Sequence, residues 1–331
     1  MTLIAPTFQA FFTSYLMGQK AASPHTITAY RDTWRLLLTY LSEQHHIKPN
    51  TLDFTALDVH RITEFLTYLE EVRGNAPATR NARLAGIHAF FHYAAYRHPE
   101  HADLITRVLA IAPKNTATVD IVYLTDAEAA ALLAAPETTT WTGRRDQLMI
   151  EFLLHTGLRV TELINLRWAD LQLHAPAYVA CRGKGRKERS TPINVDLAAA
   201  LTTWWEENTQ LGTDGSVFPT QGNHHPMSPD AITQRLAVHQ RTAAKNCPSL
   251  QRKTVTAHIL RHTTAMRMLA AGIDVATISL WLGHANIEST RAYLHADMTI
   301  KQRALDRTAP ATTGPGRYKP PDSLLAFLEN L

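Results

Sequence analysis

Two arginines, a lysine, two histidines and a tyrosine stand in four short segments of the C-terminal half of the chain. Arg159 lies in HTGLRVTEL, Lys184 in RGKGRKER, His258 and Arg261 in HILRH, and His284 precedes Tyr293 by nine positions in LGHANIESTRAYLH. Cations gathered round a phosphodiester neutralise the non-bridging oxygens that repel a nucleophile and gain charge in the transition state. Arginine suits that work, because its planar fork makes two parallel hydrogen bonds and stays charged throughout. A tyrosine phenol ionises only near pKa ~10, so it needs nearby positive charge and a base before it can attack. Histidine, which titrates close to neutrality, can accept that proton. The set has the makings of phosphoryl transfer through a protein nucleophile.

Local spacing adds to this. Arg159 follows Thr156-Gly157, where one apolar helical run can end at glycine, and precedes another containing Leu163, Ile164 and Leu166. Its guanidinium is therefore expected at a helix terminus, with Glu162 on nearly the same face to orient it. His258 and Arg261 lie three apart in a helix that Thr256 can cap, so they share a face and can meet one phosphate. His258 and His262 have an i,i+4 spacing open to a zinc reading, but no glutamate adjoins the first histidine and no third ligand stands nearby. No metal site is expected. There is no P-loop, and no carboxylate cluster of the kind a two-metal nuclease needs.

The ordered pattern Arg…Lys…His-x-x-Arg…His…Tyr, in these contexts, resembles the tyrosine recombinase family of phage integrases, Xer proteins and transposon integrases. The resemblance implies that Arg159 and Arg261 clamp the scissile phosphate and that His284 hydrogen-bonds it. It implies that Tyr293 attacks to give a 3′-phosphotyrosyl enzyme and a free 5′-hydroxyl. His295, two residues on, matches a Tyr-x-His with a supporting role. Lys184, in a mobile turn, is the candidate general acid for the leaving oxygen, and Lys187 is its competitor. A phosphotyrosine conserves bond energy, so neither ATP nor any other cofactor is expected. Two alternatives stay open: a type IB topoisomerase relaxing one duplex, and a non-catalytic DNA-binding regulator of the same fold.

Several elements must position these residues. From Thr7 to about Ala110 the apolar residues recur at three- and four-residue steps. Ser23-Pro24 opens one run, Ile62, Phe65, Leu66 and Leu69 mark another, and Leu84, Ile87, Phe90, Phe91 and Ala94 a third. Residues 1–111 thus read as a helical domain of four or five helices, similar to the family's SAM-like core-binding domain. Residues 112–123 read as a linker, being polar and poor in large apolar side chains. Residues 124–307 read as the catalytic domain, opening on a Thr125 capping box. Within it, Tyr178–Cys181 and Ser190–Ile193 flank a glycine-rich turn and predict a hairpin. The fold expected is mainly α with a small β-hairpin, and the resemblance implies a two-domain, C-shaped clamp on DNA.

The chain has 331 residues, a formal charge of +4 and a pI near 9.1, which suits a polyanionic partner. Candidate DNA contacts are Arg80 and Arg83 in the first domain, Arg186 and Lys187 in the basic run, and Arg235 and Arg241 in a helix opened by Ser228-Pro229. The polar face of that helix, with Gln234 and His239, reads equally well as groove-facing or merely solvated. The two cysteines, Cys181 and Cys247, are too few for a disulfide framework. With no leader-like or membrane-spanning stretch, the protein is expected in the cytoplasm, at the nucleoid. Residues 308–331 read as a Pro/Gly-rich tail ending in a short amphipathic helix over 322–331. There Leu324, Phe327, Leu328 and Leu331 can dock on a neighbouring protomer of a DNA-bound tetramer, or in cis. The partner expected is duplex DNA bearing specific recombination sites, with the protein acting as a mobile-element integrase.

Overall fold

The computed structural model describes residues 3–116, 121–182 and 188–283. The chain divides into two compact units, Met1–Val119 and Asp120–Leu331.

In the first unit, α1 (Ala5–Ala10) runs on into a π-helical stretch, Phe11–Gln19. It is followed by α2 (Pro24–His45), α3 (Val59–Glu71), α4 (Pro77–Ala95) and α5 (Ala102–Leu109). Helix α2 begins where the sequence predicts: the Ser23 hydroxyl accepts the Thr26 N–H at 3.2 Å, and Pro24 fills a first-turn position that needs no donor. The predicted apolar faces of α3 and α4 are buried, and α4 packs against α2, α3 and α5. Phe11, Trp34, Phe65, Phe90 and Phe91 form the centre of this core, with Trp34 edge-on to Phe8 at 4.5 Å. Each such side chain contributes roughly 1.5–3 kcal/mol by leaving water.

The second unit holds α6 (Asp126–Leu133), α7 (Trp141–Thr156), α8 (Val160–Ile164), α9 (Val195–Glu206), α10 (Pro229–Ala243), α11 (Ala257–Ala270) and α12 (Val275–Leu282). The Thr125 capping box is present: its hydroxyl accepts from the Glu128 N–H, and Glu128 accepts the Thr125 N–H at 2.8 Å. Glu128 is itself buried and paired with Lys253 at 2.6 Å, which ties the opening of this unit to the chain just before α11. Helix α11 packs along α7, and Thr264 donates its hydroxyl to the Leu154 carbonyl at the contact. A smaller apolar cluster of Ala265, Met266, Leu269, Ile278 and Leu282 joins α11 to α12.

The hairpin forms as predicted, and a third strand joins it. Strand β1 (Leu171–Gln172) pairs antiparallel with β2 (Tyr178–Arg182), which pairs antiparallel with β3 (Glu188–Pro192) in the register Cys181↔Arg189. Two residues are too short a run to show the period-two alternation by which a strand is read from sequence. None of the described helices is long and apolar enough to cross a membrane.

Candidate active site

The site is assembled at the C-terminal end of α12. Helix α7 stops at Gly157, whose φ of +64° is left-handed and whose N–H bonds the Leu153 carbonyl at 2.9 Å. A Cβ at Gly157 would stand 2.6 Å from Cδ2 of Leu282, so this turn is also where α7 touches α12. Two residues later Arg159 is the N-cap of α8, at the helix terminus the sequence predicts.

Glu162 is bonded to Arg159 at two points. Its Oε2 accepts the Arg159 backbone N–H at 2.8 Å, and its Oε1 accepts Nη1 of Arg159 at 3.0 Å. The carboxylate is only 6% exposed and is also gripped from β3, where Arg189 donates Nη1 and Nη2 to its two oxygens at 2.9 Å each. Burial by itself would raise the Glu162 pKa. The Arg189 fork, the Arg159 backbone N–H and the two guanidinium charges outweigh it and hold the group at about 2.

Three arginines then converge on three successive carbonyls. Arg189 Nε donates to the Trp281 carbonyl at 3.1 Å, Arg261 Nη2 to Leu282 at 2.7 Å, and Arg159 Nη2 to Gly283 at 3.0 Å. The last carbonyls of a helix have no intrahelical donor and form the negative end of its dipole, so guanidinium groups suit them on both counts. Arg261 also donates Nη1 to the Gly157 carbonyl at 2.6 Å, closing the α7, α11 and α12 ends around one point. Arg261 is 2% exposed, whereas the Arg159 side chain keeps 35% of its surface open to solvent.

His258 belongs to the same constellation. Partial burial, and then the charges of Arg261 and Arg159, hold its imidazole below the ordinary value of 6.5, so it is neutral at neutral pH and able to accept a proton. Its ring lies 4.2 Å from that of His262, edge to face, and burial, His258 and Arg261 lower His262 to about 4. His262 is thus a neutral packing partner. Among the described residues no group of three or more His, Cys, Asp or Glu side chains is placed to hold a metal ion.

Lys184, Arg186, Lys187, His284, Tyr293 and His295 lie outside the described residues, as does the segment 322–331. In sequence, His284 is the residue directly after the Gly283 that carries the third carbonyl.

Several of the expected DNA contacts have partners within the protein. The Arg80 side chain is buried and donates to the Ala112 carbonyl at 3.2 Å, while the adjacent Asn81 exchanges hydrogen bonds with Lys114, so Arg80 pins the chain leaving the first unit. Arg83 is half-buried and spends Nη1 on Ala29 and Thr33 of α2. On α10, Arg235 and His239 turn inward to Asp146, which is fully buried and also bound by Arg145 at 2.7 Å. Burial would raise the Asp146 pKa, but the hydrogen bonds from His239, Arg145 and Arg235 keep it below the ordinary range. The outward face of α10 carries Gln234, Val238 and Arg241 instead. Arg241 lines a surface cavity of about 340 Å³ with Gln240, Ala244, Lys245 and Gln251.

Arg189 is the site residue that sequence reasoning passes over, as one member of a basic run. The available signal was the strand period. Thr191 and Ile193 are buried and Ser190 and Pro192 exposed, so Arg189 falls on the inward face, where a charge needs a partner.

The sequence profile of the phage integrase family matches residues 122–299, and that of the phage integrase N-terminal SAM-like domain matches residues 10–103. The "Putative integrase/recombinase y4rC" of Sinorhizobium fredii (strain NBRC 101917 / NGR234) is 43% identical over 99% of this chain and 98% of its own length. The tyrosine recombinase XerD of Listeria monocytogenes serovar 1/2a (strain ATCC BAA-679 / EGD-e) is 30% identical over 86% of this chain and 92% of its own. In fold, the Tn1549 transposon integrase solved with transposon right end DNA is similar with a TM-score of 0.70 at 18% identity, over 93% of this chain and 99% of that one.

Proposed function

The chain belongs to the phage integrase family, and from that membership we propose how its site carries out recombination. It is a tyrosine recombinase that breaks and rejoins DNA at specific sites. The observation that best supports the assignment of roles is the convergence of Arg159, Arg261 and neutral His258 at the end of α12, next in sequence to His284 and ten positions before Tyr293.

Arg159, the solvent-facing guanidinium, binds a non-bridging oxygen of the scissile phosphate, and Arg261 supplies fixed positive charge behind it. His258 takes the Tyr293 proton as the phenolic oxygen bonds phosphorus and the bond to the 5′ oxygen breaks. Lys184, or Lys187 in its place, protonates the departing 5′ oxygen, and His284 hydrogen-bonds the phosphate with His295 in support. Rejoining reverses these steps with the 5′-hydroxyl of another strand. The energy of the broken diester is kept in the phosphotyrosine, which is why the cycle requires no ATP.

Residues 1–111 serve as a core-binding domain and 124–307 as the catalytic domain, joined by 112–123. Arg83, Arg186, Lys187 and Arg241 contribute backbone phosphate contacts, and Arg235 acts through Asp146. The working form is a tetramer on two duplexes, with 322–331 docking between protomers, and its place of action is the nucleoid. The similarity to the Sinorhizobium integrase/recombinase across nearly the whole chain supports a mobile-element role.

The test is a suicide duplex nicked beside the cleavage site, taken from DNA flanking the gene. Wild type forms a covalent protein–DNA adduct, and Tyr293→Phe binds the same DNA but forms none. No adduct with wild type would remove the catalytic reading, and an adduct with Tyr293→Phe would move the nucleophile elsewhere.

A further inference from the structure

Arg189 is largely buried, and its hydrogen bonds to described residues are internal to the protein. Its side chain is 12% exposed, and all three guanidinium nitrogens are committed: Nη1 and Nη2 to Glu162 in an end-on pair, and Nε to the Trp281 carbonyl. Those two partners lie on either side of Arg159. Glu162 holds the Arg159 backbone and Nη1, while the end of α12 supplies the Gly283 carbonyl that takes Nη2.

The packing at Gly283 is equally close. Its φ is +62°, and a Cβ there would stand 2.8 Å from Arg189 Nη1 and 3.0 Å from its Cδ. Glycine lets the chain lie directly against the Arg189 side chain, and the carbonyl that receives Arg159 belongs to that same residue. Arg189 thus braces both anchors of Arg159. A carboxylate bound by one arginine alone can rotate, whereas one gripped by a parallel fork on its other edge is fixed in plane and direction.

We propose that Arg189 is a positioning residue for DNA cleavage, which through Glu162 and the carbonyl end of α12 sets where Arg159 presents its guanidinium to the scissile phosphate. The proposal rests on the cleavage reading above. A rival role, merely fastening β3 to α8 and α12, predicts a loss that does not depend on the charge of the phosphate.

That difference can be measured by single-turnover adduct formation on two suicide duplexes, one with the ordinary diester and one with an uncharged methylphosphonate at the scissile position. Arg189→Gln is expected to bind DNA as wild type does and to form adduct about 10- to 100-fold more slowly on the diester, a loss comparable to that of a misplaced transition-state donor. On the methylphosphonate, where there is less charge for Arg159 to neutralise, most of that deficit disappears. Arg189→Lys, which keeps the charge but not the fork, falls between. Should Arg189→Gln prove unfolded in a thermal melt, the lysine variant answers the same question on the same two duplexes. Equal deficits on both substrates, or no deficit on the diester, overturn the proposal. Absence of adduct with wild type on the diester would instead strike the cleavage reading itself.

Discussion

At the scale of single residues, charge in this site is arranged around one neutral imidazole and one carboxylate. His258 is kept neutral by partial burial and by Arg261 and Arg159, so its folded pKa lies below its ordinary 6.5. The unfolded chain therefore takes up a proton first as pH falls. The stability due to this group is present above pH 6.5 and is lost as pH drops through the lower folded value. With His258 as the proposed base, catalysis has the same sign, because only the neutral imidazole can accept the phenolic proton. The single-turnover cleavage rate is expected to be independent of this group above pH 6.5 and to decline below it. An acid limb centred above pH 7 would assign the base to another residue. Glu162, held at about 2, stays ionised across that whole range and adds no limb of its own.

At the scale of elements, helix ends rather than helix faces build the site, and two junctions can be tested. Gly157 combines a φ of +64° with a close approach to Leu282. Gly157→Ala is expected to cost about 2–4 kcal/mol from left-handed backbone and overpacking together, read in urea unfolding. A loss below about 0.5 kcal/mol, an ordinary surface value, would mean that the α7 and α12 ends can separate freely. Asp146 joins α7 to α10 through Arg145, Arg235 and His239. Asp146→Ala strands buried cations and is expected to destabilise by about 3–5 kcal/mol. A neutral result would show that those groups find other partners. The element boundaries themselves were largely legible in the sequence. Ser23, Thr125, Ser228 and Thr256 each cap the helix they were expected to cap, because a cap is a contact between residues three apart. Strand β1 was not legible, being two residues long. The inward turn of Arg235 and His239 was not either, because a polar helix face looks the same whether it meets water or a buried aspartate.

At the scale of the whole molecule, two units with separate cores share one chain, and the stretch joining them is anchored at its start by Arg80 and Asn81. Assembly belongs to this scale. Deletion from Asp322 onward is expected to leave the thermal melt unchanged and to weaken the slower, higher-order complexes in gel shifts on DNA. Unchanged assembly would return the 322–331 segment to its own protomer.

The sequence alone determined the family, the order of the reacting groups, the helical starts and the turn that ends α7. The helical starts and the turn are carried by residues within a few positions of one another, where backbone geometry maps spacing directly onto contact, and the family by short motifs whose order along the chain is read without any contact. Tertiary structure alone decided that Arg189 grips Glu162 while Arg80 is bound to the chain leaving its own unit, and that Arg159 keeps part of its surface in solvent while Arg261 is buried. Arg189 meets its partners 27 and 92 positions away, Arg261 reaches Gly157 across 104, and Arg159 reaches Gly283 across 124. No periodicity records such distances. What sets them is the demand of three bare carbonyls at the end of one helix for donors, met by whichever arginines the packing of α7, β3 and α11 brings within reach.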